Sequence, residues 1–352
     1  MSRYIIWPVL VLLIFVRFLS LRPTFRNGDR LRISTTIYTD PLIFPGSQFL
    51  KISGLKIYLP KIPEISYGDK VVIEGVNKNG TLQNVKIISV KNGSAISFFR
   101  NKIIGFYQRV LPQPESGLLS GIVLGAKGQI PSDFYDKTKI TGVAHVVVAS
   151  GTNVTFVISF LSGVVFLFLS RKKAIPFVIF SIILYLFISG FEPPLIRAAI
   201  MSSILFLGQE LGKLISPWRI LFLTAGAMLI FSPEWIGDVG FQLSFASTAG
   251  IMFFGNRFNK LLKFIPNVFR QDLSTTLGAQ IGVAPFLFVT FGQFNPFSPL
   301  INLLVLWMVP LLMIIGSIGG IVGLVVPGLG KLFLYLGYPM LWWFTHVVEF
   351  FG

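Results

Sequence analysis

The chain has 352 residues, no cysteine, two histidines, and thirty Lys and Arg against fourteen Asp and Glu, a formal charge of +16. With 53% hydrophobic and 12% charged residues and a mean hydropathy of +0.75, it lies far from the roughly 45–50% apolar and 25% charged make-up of a soluble domain. It reads as an α-helical polytopic membrane protein, and with His145 and His346 as its only imidazoles, cysteine-based zinc sites, disulfide frameworks and haem attachment are set aside.

Residues 1–20 form the first element. Tyr4 to Ser20 is apolar apart from Arg17, follows Arg3 and lacks a small-residue cleavage site, which predicts a retained transmembrane anchor. Residues 21–93 change character. Alternating runs at Arg30–Tyr38, Gln48–Ile52, Leu55–Leu59, Lys70–Gly75 and Thr81–Val90, with Asn77-Lys78-Asn79-Gly80 as a hairpin turn, predict a small extracytoplasmic all-β domain of OB-like type. Over residues 94–115, Phe98, Phe99, Ile103, Ile104, Phe106 and Tyr107 stand beside Arg100, Lys102 and Arg109, the pattern of an amphipathic interfacial helix that Pro112 and Pro114 end.

Residues 116–352 carry apolar runs at Ala144–Leu169, Ile175–Ser189, Leu195–Glu210, Ile220–Phe231, Phe241–Phe254, Thr275–Val289, Leu300–Val326 and Leu332–Phe350. Several fall short of the about 20 residues that an upright crossing needs, so broken or re-entrant helices are expected. Leu300–Val326 is instead too long for one upright helix and holds Pro310, which predicts a kink or break. Arg171, Lys172 and Lys173, then Lys213 and Arg219, the group Arg257, Lys260, Lys263 and Arg270, and Lys331 fall on one side by alternation, with Glu192, Glu234 and Asp238 opposite. The positive-inside rule puts the basic loops and the N-terminus in the cytoplasm of a multi-pass bacterial membrane protein, and the β domain outside. Arg17–Lys139 still holds eighteen basic residues against eight acidic, so an external polyanion, anionic lipid or plain solvation must account for that excess.

Polar residues inside the apolar runs are the candidate site. Gly142 to Val154 interrupts a span with His145, Ser150, Gly151 and Asn153, which either line a passage at a helix break or serve helix packing. A serine hydrolase built on His145 and Ser150 lacks both a nucleophile elbow and an acidic partner nearby. Arg197 opens an apolar run after Glu192-Pro193-Pro194, and either snorkels to the interface or meets a passing phosphate. Gln242 and Ser244 begin another run, and with Asn302 they read as interhelical hydrogen-bonding groups or as pore lining. No Gly-x-x-x-x-Gly-Lys-Ser/Thr motif is present, so any motor is a separate protein.

In order along the chain, these pieces resemble the ComEC competence-channel family of inner-membrane proteins that admit single-stranded DNA during natural transformation. The resemblance is carried by the anchor with its external β module, Gly117-Leu118-Leu119-Ser120-Gly121-Ile122-Val123-Leu124-Gly125, Thr141 through Gly151, Pro194 to Ala198, Gly240-Phe241-Gln242-Leu243-Ser244, and Asn302-Leu303-Leu304 with Pro310. It implies that His145, Ser150, Gly151, Arg197, Gln242 and Asn302 line or shape a DNA path. It also implies partners: single-stranded DNA, the lipid bilayer, and a cytoplasmic DNA-translocating motor with strand-binding proteins. Members commonly have a second histidine where this chain has Asn153, and many carry a C-terminal metallo-β-lactamase-like domain, whereas this chain stops at Gly352. The expectation is therefore a channel without enzymatic activity or cofactor, served by a separate nuclease. The alternative is a transporter or flippase for an anionic lipid-linked or small solute.

Overall fold

The computed structural model of the chain describes residues 12–20, 26–43, 46–52, 54–91, 93–147, 150–213, 215–291 and 295–352. The first part of the expected anchor, from Tyr4 to Val11, lies outside them, as do Val148 and Ala149 of the interrupted span. Residues 12–20 are helical (α1). Strands β1 (Arg30–Thr36), β2 (Leu42–Ile43), β3 (Ser47–Ile52), β4 (Leu55–Pro60), β5 (Lys70–Lys78) and β6 (Thr81–Lys91) follow. Then come α2 (Ala95–Val110), α3 (Glu115–Leu124), α4 (Ser132–Thr141), α5 (Ala144–Val147), α6 (Gly151–Phe168), α7 (Arg171–Ser189) and α8 (Pro193–Glu210). The rest of the chain forms α9 (Pro217–Phe231), α10 (Val239–Leu261), α11 (Asn267–Phe291), α12 (Ser298–Val305), α13 (Val309–Val325) and α14 (Pro327–Phe351). The protein is thus mostly helical with one small mixed sheet. Its packing divides the chain into a sheet unit (Thr24–Asn153, Tyr185–Phe191 and Val305–Gly352) and a helical unit (Met1–Pro23, Val154–Leu184 and Glu192–Leu304).

In the sheet unit the strand order is β1-β5-β6-β4-β3-β2. Every pairing is antiparallel except β4 with β6, where Lys56 faces Thr81 and Ile57 faces Leu82 in parallel. Period-two alternation sends Leu50, Leu55, Ile57, Leu59, Val71, Ile73 and Leu82 inward to one core. The expected hairpin joins β5 to β6, and its two central residues, Asn79 and Gly80, take the positive φ angles (52° and 77°) that a two-residue turn of this hand requires. Gln48 is buried with its amide fully used. Its Nε2 donates to the carbonyls of Pro60 and Pro63, and its Oε1 accepts from the Ile65 amide, pinning the loop after β4.

Helix α2 starts at the Ser94 cap and buries Ile103, Ile104, Phe106 and Tyr107. The partner is α13, where glycines take the place of side chains: a Cβ on Gly323 would run into the Phe106 ring, and Tyr107 Oη donates to the Gly316 carbonyl at 2.8 Å. The opposite face of α2 leaves Phe98 and Phe99 exposed, with Lys102 Nζ 4.5 Å from the Phe98 ring centroid. Arg100 departs from the expected polar face. It is 1% exposed and forms a bidentate ion pair with Asp40, Nη1 to Oδ1 at 3.0 Å and Nη2 to Oδ2 at 2.5 Å. It also donates to the Leu124 carbonyl at the end of α3 and lies 4.5 Å over the Tyr67 ring. Burial pushes the Tyr67 phenol up to about 12 while the Arg100 charge pulls it the other way, so its hydroxyl stays a donor, to the Phe187 carbonyl at 2.7 Å.

In the helical unit α10 and α11 pack with their backbones close together. A Cβ on Gly250 would meet the Gly278 carbonyl oxygen, and one on Gly282 would meet that of Ala246. Met201 of α8 with Ile220 and Leu221 of α9 forms a core against Phe245, Ala249 and Met252 of α10. By length and composition two segments, Phe269–Thr290 and Ser298–Val325, suffice to cross a membrane among the described residues; Glu115–Leu124, Asn153–Phe168, Lys173–Ser189 and Pro217–Phe231 are apolar but shorter. The long run ending at Val326 is broken, as expected, into α12, a 3-10 turn at Leu306–Met308, and α13. Pro310 sits in the first turn of α13, where its missing N–H leaves no helical bond unmade.

Because Arg100 and Asp40 are each other's counter-charge away from water, Arg100→Ala is expected to cost about 3–5 kcal/mol. The apolar double replacement Arg100→Met with Asp40→Leu should recover most of that loss. Thermal unfolding of the purified variants in one detergent measures both, and equal melting of Arg100→Ala and the parent chain would contradict the burial.

Candidate functional site

The polar interruption at Gly142–Val154 is a set of helix ends. Helix α4 closes on Gly142 in the left-handed region (φ 79°), with the Val143 amide returning to the Thr138 carbonyl. The four-residue α5 follows, and α6 restarts at Gly151. His145 is exposed, and its Nδ1 lies 3.0 Å from the Gly142 carbonyl; a carbonyl only accepts, so Nδ1 carries the proton and Nε2 is the acceptor. Asn153 has the opposite fate. It is 1% exposed, its Nδ2 donates to the Ile122 carbonyl of α3 at 2.9 Å, and its Oδ1 accepts from Ser150 Oγ at 3.0 Å. Ser150 and Asn153 are therefore brought together as a staple onto α3, and His145 stands apart from it.

Helix α3 is buried along its whole length, and Gly121 is the reason it can lie so close. A Cβ there would collide with the carbonyl oxygen of Val147. Thus the segment from Gly117 to Gly125 and the segment from Thr141 to Asn153, far apart in sequence, meet through backbone groups. Tyr185, in the last turns of α7, brings its hydroxyl toward Asn153 and Ser189, and the hydroxyls of Tyr185 and Ser189 are both buried without a well-formed hydrogen bond.

In the helical unit Arg197 of α8 points to α10. Its Nε donates to Ser244 Oγ and its Nη1 to Thr248 Oγ1, both at 2.5 Å, with Met201 Sδ at 3.6 Å from Nη1. The guanidinium also lies 6.0 Å from the Phe245 ring centroid. Among the described residues no carboxylate pairs with it, so a half-buried positive charge is held by neutral hydroxyls alone. Gln242 is not part of this cluster: its Nε2 donates to the Ile236 carbonyl at 2.8 Å and ties down the turn before α10. Asn302, 3% exposed, reaches Ser298 Oγ at 3.5 Å, and among the described residues its Oδ1 has no hydrogen-bond partner.

Two sets of residues went unread in the sequence. Thr248 lies one helical turn beyond Ser244, and an i,i+4 hydroxyl pair facing a lone arginine is a signal that could have found it. On the sheet, alternation turns Phe49 and Lys51 of β3 and Lys56 and Tyr58 of β4 outward; Phe49 is in register with Tyr58 and Lys51 with Lys56. The two rings lie 5.0 Å apart. That face pairs aromatic planes with ammonium groups one step along the strands. Among the described residues no cluster of three or more His, Asp or Glu could hold a metal ion.

Residues 122–352, more than half of the chain, match the family described as Competence protein. The chain is 27% identical over 225 residues to ComE operon protein 3 of Bacillus subtilis (strain 168), a stretch that covers 60% of this chain and 28% of that protein. No solved structure matches.

The staple makes a prediction that separates packing from exposure. Asn153→Ala leaves the Ile122 carbonyl without its donor in a dry environment and is expected to cost about 1–3 kcal/mol. His145→Ala, on an exposed face, should change stability by less than about 0.5 kcal/mol. Side-by-side thermal melts test the contrast, and a neutral Asn153→Ala would show that the amide is not holding the Ser150–Asn153 turn to α3.

Proposed function

The chain belongs to the competence protein family, and from that premise we propose that it is a membrane conduit admitting single-stranded DNA across the cytoplasmic membrane during natural transformation. The observation that favours a single strand over any other anion is the outward face of β3 and β4. Phe49 and Tyr58 offer planes on which a base can stack, and Lys51 and Lys56, two residues along the same outward face, supply positive charge beside them. A run β1-β5-β6-β4-β3 with one parallel step is the strand order of an OB-type barrel left open between β1 and β3, which supports residues 21–93 as the receiving module.

Arg197 supplies the second half of the reading. A guanidinium with no carboxylate partner among the described residues keeps its field for a passing phosphate, while Ser244 and Thr248 fix its plane. Neutral hydroxyls hold the guanidinium in place without cancelling its charge, and a conduit must release what it binds. His145, with Nε2 free to accept, is the polar group of the helix break that a strand could touch without unpicking the Ser150–Asn153 staple. Gly151 opens α6 beside it, and in the helical unit Gln242 ties down the turn before α10. In this proposal the β module faces outward, the basic loops inward, and the several short apolar helices together form a polytopic bundle. Pulling the strand requires a cytoplasmic motor and strand-binding proteins, with a separate nuclease to supply the single strand.

Two outcomes are expected. Phe49→Ala with Tyr58→Ala should lower affinity for oligothymidylate by about 1–3 kcal/mol per lost stacking contact, leaving the salt slope intact. Lys51→Ala and Lys56→Ala should each flatten that slope by about 0.7. A salt series of fluorescence anisotropy on the full chain measures both, and equal binding of duplex and single strand by all variants would remove the sheet from the reading. In cells, Arg197→Ala should cut uptake of labelled DNA at least about ten-fold, and Arg197→Lys should restore only part, because an ammonium cannot reach both hydroxyls as a planar fork does. Undiminished uptake in Arg197→Ala would exclude it from the path. Loss of anionic-lipid movement, with uptake intact, would favour a flippase.

A further inference from the structure

The turn between α10 and α11 is the most basic part of the helical unit. Lys263 lies in it, with Arg257 and Lys260 in the last turns of α10 and Arg270 in the first turn of α11; no acidic residue occurs from Val239 to Gln271, and Asp272 is the first carboxylate beyond. None of the four has an acidic partner among the described residues. A positive loop of this kind is ordinarily a topology signal or an anionic-lipid contact, and on charge alone it would carry nothing further.

Next to it is a pocket of about 310 Å³ that a lipid headgroup does not require. Trp218 of α9 stands at one wall, with Asn256 and Asn259 of α10 and Gln271, Ser274 and Thr275 of α11 around the rest. The hydroxyls of Ser274 and Thr275 donate back to the Gln271 carbonyl, which leaves their oxygens as acceptors toward the pocket. The three amides make no hydrogen bond to any described residue. Each amide both donates and accepts, so together they match a planar ligand whose edge mixes donors and acceptors. Trp218, stacked on Phe222 with ring centroids 6.2 Å apart, presents an indole face held in place from behind. An aromatic plane, mixed hydrogen-bonding groups and nearby ammonium and guanidinium groups are the three things a nucleotide unit of a single strand uses.

We propose that this pocket is a second station for single-stranded DNA, taking one base against Trp218 with its polar edge on Asn256, Asn259 and Gln271, and the adjoining phosphates on Lys260, Lys263 and Arg270. The identity of the ligand rests on the conduit reading above. The pocket shares no residue with the β3–β4 face or with Arg197, so it can fail alone.

The test is photocrosslinking of an oligonucleotide carrying 5-iododeoxyuridine to the full chain in phosphatidylcholine nanodiscs, mapped by peptide mass spectrometry. Crosslinks are expected at Tyr58 and at Trp218, and Asn259→Ala with Gln271→Ala should reduce the Trp218 product roughly ten-fold while sparing that at Tyr58. Crosslinks at Tyr58 with none at Trp218 would overturn this station and leave the conduit reading standing, whereas none at either in a folded chain would overturn both. A Trp218 crosslink indifferent to the amide replacements but lost in Lys260→Ala with Lys263→Ala would mean that the basic turn alone holds the strand, and the base pocket falls. If phosphatidylglycerol in the discs erases the Trp218 product and not the Tyr58 product, the turn is a headgroup site instead.

Discussion

The sheet unit depends on one buried charge. Arg100 reaches Asp40 after β1, the Leu124 carbonyl at the end of α3, and the face of Tyr67, so a single guanidinium joins the sheet to two helices. A charge taken out of water is tolerated only when nearly all its donors are used, and this geometry uses them. The consequence is positional: α2 cannot rotate about its axis without breaking the pair. With that rotation fixed, Tyr107 and Phe106 are presented to the glycines of α13, and α3 is set where its own glycine admits α5.

Read together, the polar residues of the apolar segments divide by what they hold. Asn153, Ser150 and Gln242 spend their hydrogen bonds on carbonyls or on each other and fix helix ends. Arg197 spends its own on hydroxyls that bring no opposing charge. The first kind of residue fixes the backbone where a helix starts or stops, and the second leaves a cation whose described partners are all neutral. A single residue type therefore predicts little about role in such a segment; the partner decides.

The alternation in β3, β4 and β5 was readable because each side chain's burial follows its own parity, whereas β6 changes parity at the irregularity around Asn84; the Asn79-Gly80 turn was readable because only a few residues accept its backbone. β2 was not readable, since two residues carry no period. Arg100 looked like part of an amphipathic face because its partner is sixty positions away and a helix pattern is read locally. The role of Asn153 was hidden for a different reason: its partner is a main-chain carbonyl, which leaves no mark in the identity of Ile122. Arg197 was readable as a misfit in an apolar run, while the neutral character of its described partners, Ser244 and Thr248, is a property of the packing alone.

The bond from Tyr107 to the Gly316 carbonyl spans 209 positions, and this has a consequence for biogenesis. When α2 leaves the ribosome, its partner α13 does not yet exist, and about two hundred residues must still be made, which at typical elongation rates takes on the order of tens of seconds. Throughout that interval Ile103, Phe106 and Tyr107 lack the glycine face of α13 that they pack against in the finished fold. The sheet unit therefore closes only after nearly the whole helical unit has been synthesised, and the nascent chain must shelter that apolar stripe, in lipid or on a holdase, until its last two helices arrive.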